Sequence, residues 1–133
     1  MSNFHYIRRI ELLPNIIVID DDKNIRLLYK KELDREGYEV SLVASAKDAL
    51  EEVIKKKYRV AIIDIEMPDM SGLELISQIK ELSPHTMTIL NSAYSIYKSD
   101  FKSWMADAYV IKSSDIEPLK QKIKELIDIY DDR

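Results

Sequence analysis

Three consecutive carboxylates, Asp20-Asp21-Asp22, close the apolar run Ile16-Ile17-Val18-Ile19. Neighbouring carboxylates repel, and each resists ionisation because of the others. Solvation on a loop, a helix N-terminus or a bound cation can offset that cost. Three further apolar runs also end in polar groups. Val60-Ala61-Ile62-Ile63 runs into Asp64 and then Ile65-Glu66-Met67-Pro68; Met87-Thr88-Ile89-Leu90 runs into Asn91-Ser92-Ala93; Tyr109-Val110-Ile111 runs into Lys112. Clustered carboxylates suit a hard divalent cation, and Mg²⁺ typically takes one or two of them with waters and phosphate oxygens. An ammonium beside them binds phosphate as a point charge. A serine hydroxyl can donate to a phosphoryl oxygen, and a remaining carboxylate can attack phosphorus to form an acyl phosphate. Singly, each residue has a plainer reading: a solvated turn and N-cap for the aspartates, a turn residue for Ser92, a surface residue for Lys112. The chemistry gains weight only if one architecture gathers these run ends.

Short apolar runs without polar alternation read as strands buried on both faces, the pattern of a parallel sheet. Glu39-Val40-Ser41-Leu42-Val43 alternates instead, as an edge strand does. Helical spacing fills the gaps. Ile25, Leu28 and Leu33 fit a helix ending at Gly37, a C′ position. Ala46, Ala49, Leu50, Val53 and Ile54 form a stripe behind Ser45, an N-cap. Leu75, Ile76, Ile79 and Leu82 lie between Gly72 and Pro84. Tyr97, Phe101, Trp104 and Met105 form an aromatic stripe that reads as core rather than interface. Ile116, Leu119, Ile123, Leu126, Ile127 and Tyr130 form the last helix, with Ser114 and Glu117 at the spacing of a capping box. Strand and helix thus alternate five times, which predicts an α/β open sheet with right-handed crossovers. In such sheets the site lies beyond the carboxyl ends of the strands, where Asp20–Asp22, Asp64, Glu66, Ser92 and Lys112 all fall.

The composition restricts the alternatives. A chain of 133 residues with 46% hydrophobic and 33% charged residues is expected to form one soluble domain with a proper core. No apolar run approaches a membrane span, and MSNFHYIRRIELLPN lacks the apolar stretch of a signal peptide. The absence of cysteine excludes disulfides and thiolate metal sites and is compatible with a cytoplasmic location. A net charge of -4 argues against direct nucleic-acid binding. The two glycines, Gly37 and Gly72, leave no room for glycine-rich dinucleotide or Walker-type phosphate loops. Residues 1–14 fall outside the alternation as an N-terminal extension, with Phe4, Tyr6, Ile7, Ile10, Leu12 and Leu13 making it more apolar than a plain tail; residues 15–133 form the domain.

Taken together, IVIDDD, IIDIEMPDMSGLEL, ILNSAY and AYVIK make residues 15 to 130 resemble the receiver domain of two-component response regulators. The resemblance implies a flavodoxin-like (βα)5 doubly wound parallel five-stranded sheet with strand order 2-1-3-4-5. It implies Asp64 as phosphoacceptor, Asp21 as a direct Mg²⁺ ligand with Asp20 acting through water, and Glu66 contributing a backbone carbonyl. Ser92 matches the switch hydroxyl, Tyr109 the switch aromatic, and Lys112 the lysine that pairs with the acceptor and then with the phosphoryl group. Glu66 and Tyr94 occupy positions that tune hydrolysis of the aspartyl phosphate, bulky Tyr94 being expected to slow it. Asp22 matches no family role and reads as an N-cap. The implied partners are a sensor histidine kinase or phosphotransfer protein and a downstream target protein, with no membrane. The face of the fourth helix, fifth strand and fifth helix is one that family members use for homodimers and targets. Such a domain is a phosphoacceptor that assists its own phosphorylation and dephosphorylation rather than an enzyme acting on others.

Three departures stand out. The family places proline in a cis bond after the lysine, whereas Lys112 is followed by Ser113 and Ser114; a cis bond before a residue other than proline costs about 2.5–4 kcal/mol, so trans is expected. Ser71 stands where an acidic or small polar residue is common, and Ser95–Asp100 lacks the usual glycine. The lost proline favours an alternative, a degenerate receiver used as a phosphorylation-independent binding scaffold. A Mg²⁺-dependent phosphatase with an aspartyl-phosphate intermediate is a further alternative; Asp64-Ile65-Glu66 half resembles its paired acids, but no residues remain for a substrate cap. His5 and His85 have no kinase-like context, and His85 after Pro84 is expected to be exposed.

Overall fold

The computed structural model describes residues 13–95, 98 and 100–131; the extension apart from Leu13 and Pro14, and Tyr97 of the aromatic stripe, lie outside them. The elements in order are β1 (Asn15–Ile19), α1 (Lys23–Arg35), β2 (Glu39–Val43), α2 (Ala46–Lys55), β3 (Val60–Asp64), α3 (Gly72–Leu82), β4 (Met87–Ser92), a 3-10 segment (Phe101–Met105), β5 (Ala108–Ile111) and α4 (Glu117–Asp131). The five strands are parallel in the order β2-β1-β3-β4-β5. This is the order that the resemblance implies.

Successive strand residues point to opposite faces, and both faces of the inner strands are covered. Ile17, Ile19, Ala61, Ile63 and Leu90 pack with Ala46, Ala49 and Val53 of α2 and Leu75, Ile76 and Ile79 of α3. Ile16, Val18, Val60, Ile62 and Ile89 pack with Tyr29 and Leu33 of α1 and Leu119, Ile123 and Leu126 of α4. Unbroken apolar runs in β1 and β3 are the direct consequence. β2 is an edge strand, as its alternation predicts. β5 is the other edge, so Tyr109 and Ile111 are half-buried instead of covered on both sides as their apolar run suggests.

Local chemistry sets most helix ends. The Asp22 carboxylate caps α1 by accepting from the amides of Asn24 and Ile25. Ser45 caps α2 through the Asp48 amide. At the end of α1, Gly37 adopts φ 89°, its N–H bonds the Asp34 carbonyl, and the Tyr38 N–H bonds the Leu33 carbonyl. That pair of bonds is a Schellman motif, which glycine enters without a Cβ penalty.

Two expectations are corrected. Among the described residues no fourth α-helix stands between β4 and β5; a five-residue 3-10 segment does. Polar side chains compete for the backbone there, the Ser103 hydroxyl donating to the carbonyls of Asp100 (2.7 Å) and Lys98 (3.3 Å). Trp104 and Met105 are 70% and 43% exposed, so these two members of the aromatic stripe are not core. The side chain of Phe101 lies outside the description. The Ser114–Glu117 capping box is also absent, because α4 begins at Glu117 itself. The Asp115 carboxylate accepts from the Glu117 amide at 3.0 Å, and the Ser113 hydroxyl oxygen accepts from the Asp115 amide at 3.1 Å. Peptide bonds among the described residues are trans, Lys112–Ser113 included, and His85 is exposed as expected.

Candidate functional site

β3 delivers Asp64 to the rim of the sheet with 5% exposure. The backbone just beyond it is pinned from above. A Cβ at Gly72 would overlap the Asp64 carbonyl oxygen and stand 2.8 Å from the Ile65 Cα. The Gly72 N–H donates to the Ile65 carbonyl at 2.8 Å. Glycine at this place therefore lets the first turn of α3 close onto the end of β3. Ser71 caps α3 through the Leu73 amide. Asp69 spans to the neighbouring helix, its carboxylate accepting from the amides of Ala46 and Lys47, each at 3.2 Å.

β1 delivers Asp20, buried to 2% exposure, and Asp21, which is exposed. The two Asp20 oxygens face different partners. Oδ1 accepts the Asp22 amide at 2.9 Å, and Oδ2 lies 2.8 Å from the Lys112 ammonium. Arg26 of α1 holds the Asp20 carbonyl at 2.8 Å. Lys112 also reaches Asp64 Oδ1 at 3.1 Å, so one ammonium bridges two buried carboxylates. Carboxylate oxygens of Asp20, Asp21 and Asp64 all lie within 4.8 Å of one another. Three hard oxygen donors at that spacing, two buried and one open to solvent, fit a divalent cation with room for water or phosphate ligands.

The electrostatics express the crowding. Burial, and then the charge of Asp20, push the Asp64 carboxyl up to about 6, against the opposing pull of Lys112. Burial works against the Lys112 ammonium, but its hydrogen bonds and ion pairs with Asp20 and Asp64 outweigh this and hold it above the ordinary lysine range.

β4 brings Ser92, 1% exposed, whose hydroxyl oxygen accepts the Tyr94 amide at 3.1 Å. The Tyr109 hydroxyl donates to the Tyr94 carbonyl at 2.7 Å, turning the ring toward the site, and the Lys98 ammonium stands 5.7 Å from the centre of that ring. Asp20, Asp21, Asp64, Glu66, Ser92, Tyr94 and Lys112 line one open cleft of about 270 Å³. The Glu66 amide approaches Asp64 Oδ1 at 3.4 Å. The sequence-predicted residues thus converge, with Tyr109 reaching them through the Tyr94 backbone.

Neither Asp69 nor the close approach at Gly72 carries a local signal in the sequence. Asn91 reads there only as a strand end. The Tyr29 hydroxyl of α1 donates to Asn91 Oδ1 at 2.6 Å, and Asn91 Nδ2 donates to the Val110 carbonyl at 2.9 Å. Burial pushes the Tyr29 phenol up to about 12. A tyrosine at an inward position of α1 and an asparagine within β4 were visible signals, but nothing local joined them.

Comparison with known proteins places this arrangement. Residues 16–124 match the model of the response regulator receiver domain, and the chain belongs to that family. It is 28% identical over 116 residues to the response regulator ArlR of Staphylococcus epidermidis, covering 86% of this chain and 53% of ArlR; the chain spans about half the length of that relative. Among solved structures, it is 44% identical to the response regulator TrrA of Thermotoga maritima in complex with Mg²⁺-BeF, with a TM-score of 0.83 over 86% of this chain and 99% of that one. TrrA has also been solved in complex with the histidine kinase ThkA, a match with a TM-score of 0.81 at 44% identity over 86% of this chain and 98% of that one.

Proposed function

We propose that the domain spanning residues 15–133 accepts a phosphoryl group on Asp64 from a phosphohistidine-bearing partner, a sensor histidine kinase or phosphotransfer protein, and thereby switches binding to a downstream protein. The observation that carries the reading is the single ammonium of Lys112 bridging Asp20 and Asp64 at 2.8 and 3.1 Å beside the solvent-open carboxylate of Asp21. A bare buried carboxylate pair serves no packing need, whereas a nucleophile beside a cation site and an ammonium is what phosphoryl transfer requires. The Mg²⁺–BeF complex of TrrA and its complex with ThkA support the same reading for this chain.

Mg²⁺, when held by Asp20, Asp21, Asp64 and the Glu66 carbonyl, would supply positive charge against the phosphoryl oxygens. Asp64 acts as the nucleophile: one carboxylate oxygen forms a bond to phosphorus while the bond from phosphorus to the imidazole nitrogen breaks. Lys112 exchanges its bond to Asp64 for one to the phosphoryl group. Ser92 moves its hydroxyl to donate its proton to a phosphoryl oxygen, a shift that draws its oxygen away from the Tyr94 amide and so couples the site to Tyr109 through the Tyr94 backbone. Water hydrolyses the acyl phosphate and resets the domain, with Glu66 and Tyr94 shaping its access. Exposed Trp104 and Met105, close in sequence to Tyr109, mark the surface offered to the target or to a second copy. Among the described residues no helix is long and apolar enough to cross a membrane, and the cytoplasm is the compartment where a partner of the proposed class would meet the domain.

The test is intact-mass spectrometry after incubation with phosphoramidate, with and without Mg²⁺, on the wild type and Asp64→Asn. The expected outcome is one added phosphoryl group that needs Mg²⁺ and is lost in Asp64→Asn. Absence of any adduct in the wild type, with Mg²⁺ binding absent too, would favour the scaffold reading that the missing proline after Lys112 suggests.

A further inference from the structure

Asn91 stands between the two groups on which the proposed chemistry depends most. It pairs in register with Asp64 on β3 and with Val110 on β5, two residues before Lys112. Its side chain is buried at 1% exposure, and so is Tyr29 at 3%. A buried primary amide must satisfy an acceptor and two donors. Here Oδ1 takes the Tyr29 hydroxyl and Nδ2 goes to the Val110 carbonyl. A chain of phenol, amide and peptide carbonyl therefore runs from α1 through β4 into β5. It ends next to the segment whose lysine spans Asp20 and Asp64.

Stability alone does not call for this pair. Replacing both members of a buried hydrogen bond by apolar groups of similar shape is close to neutral, whereas losing one member leaves the other unsatisfied. The remainder of this face is aliphatic where β1, β3 and β4 cross it, through Val18, Ile62 and Ile89. Lys112 itself is tied to β4 by its N–H on the Ser92 carbonyl at 2.7 Å, and after it Ser113 and Ser114 follow without a ring to fix the backbone. The Val110 carbonyl is the point at which a side chain anchors the lysine's own strand just ahead of it.

We propose that Tyr29 and Asn91 are positioning residues for Lys112, fixing the β5 backbone so that its ammonium rests between Asp20 and Asp64. Partners that orient a reacting group from one shell further out typically change rates by about 10- to 100-fold when removed. The kinetic part of this inference rests on the phosphoacceptor reading; the geometric part does not.

The experiment uses the whole chain and Tyr29→Phe, which removes one hydroxyl, with Asn91→Leu and the double variant beside it. The first measurement needs no phosphate: the ¹H–¹⁵N resonance of the Lys112 ammonium in Mg²⁺-free protein. It is expected to be resolved in the wild type and broadened by faster exchange in Tyr29→Phe. The second is the maximal rate of phosphoryl uptake from phosphoramidate at saturating Mg²⁺, in Lys112 and Lys112→Met backgrounds. Tyr29→Phe should slow uptake by roughly tenfold with the half-saturating Mg²⁺ concentration unchanged, and should have no further effect once Lys112 is gone. An unchanged Lys112 resonance in Tyr29→Phe overturns the proposal, as does equal slowing in both backgrounds, which would mean a general loosening of the fold. If the wild type takes up no phosphoryl group on Asp64, the phosphoacceptor reading fails, and the resonance alone decides the positioning role.

Discussion

Two loops border the cleft, and they are held in different ways. The passage from β3 to α3 is fixed by main-chain proximity: Gly72 lies against the Asp64 carbonyl, its amide bonds Ile65, Asp69 ties the loop to α2, and Ile65 and Met67 are buried. The passage from β4 to β5 is fastened at its end, where the Asp107 N–H bonds the Thr88 carbonyl and the Asp107 carboxylate accepts from the Thr88 amide and Lys80. Before that it has a short 3-10 segment, exposed Tyr94, Trp104 and Met105, and contacts made by single side chains. Among these are the Tyr109 hydroxyl on the Tyr94 carbonyl and Lys98 over the Tyr109 ring. An exposed cation–π contact contributes about 0.5–1 kcal/mol and a single hydrogen bond about as much. The first passage holds the Asp64 carboxylate still; the second can change its contacts at small cost and so, on the proposed reading, is suited to report on it.

The widest separation between the two regions is expected at Gly72. Gly72→Ala should cost about 3 kcal/mol of unfolding free energy, because the neighbour that must yield is backbone and cannot rotate away. Gly37→Ala provides the reference. Gly37 has φ 89° with no atom within 4 Å of an added Cβ, so only the left-handed backbone penalty applies, about 1 kcal/mol. Urea unfolding of both variants measures the difference. A Gly72→Ala no weaker than Gly37→Ala would mean that the loop following Asp64 is not held as described.

Next in size is a pH effect within the rigid region. Asp64 titrates near 6 when folded, above the usual aspartate value near 4. The folded chain therefore holds this proton to higher pH than the unfolded one. The contribution of the group is most favourable below about pH 4 and is lost as pH rises through about 6. Mg²⁺-free Asp64→Asn lacks that loss. Its stability relative to wild type should rise by about 1–2 kcal/mol between pH 4 and 7, the ideal value being reduced by solvent at the mouth of the cleft. Thermal unfolding across that range reads it, and a flat difference would show that the carboxyl is not perturbed. On the proposed reading, adding Mg²⁺ should stabilise the wild type more than Asp64→Asn, which lacks one carboxylate of the Asp20, Asp21 and Asp64 group, since a ligand of the folded state stabilises it by mass action.

The same contrast explains what could be read from the sequence. Asp22, Ser45 and Gly37 were legible because a cap is decided within a few residues. The strands were legible because β1 and β3 are covered on both faces, which leaves no alternation. Strand order was not carried by periodicity and came from resemblance to a family. Gly72 owes its role to a strand end several residues back and Asp69 to a helix 23 residues away; Tyr29 and Asn91 meet across 62 residues. No local pattern records such contacts. The aromatic stripe misled for the opposite reason. Its spacing fits an α-helix, whereas among the described residues Phe101–Met105 is a 3-10 segment in which the Ser103 hydroxyl bonds the carbonyls of Asp100 and Lys98.

In the pliable region, Tyr94→Ala separates lifetime from stability. Tyr94 is 53% exposed, so unfolding should change by no more than about 0.5 kcal/mol. Loss of the phosphoryl group, followed by mass spectrometry after removal of the donor, should be faster than in the wild type. Slower loss would mean that the side chain does not restrict water.

Trp104→Ala carries the smallest expected effect and divides the two accounts of this region most cleanly. As a core residue, the only tryptophan of the chain would lose about 3–5 kcal/mol on truncation. At 70% exposure on a 3-10 segment it leaves no internal cavity, and the change should stay within about 0.5 kcal/mol by calorimetry, with phosphoryl uptake from phosphoramidate unaltered. A core-sized loss would restore the helical reading of the stripe and make the passage from β4 to β5 part of the fixed frame. A negligible one leaves a large, mostly exposed aromatic side chain five residues before Tyr109, the proposed switch aromatic. Such a residue gains its free energy on burial against another surface rather than in folding, which is the property a reporting face needs and an acceptor loop does not.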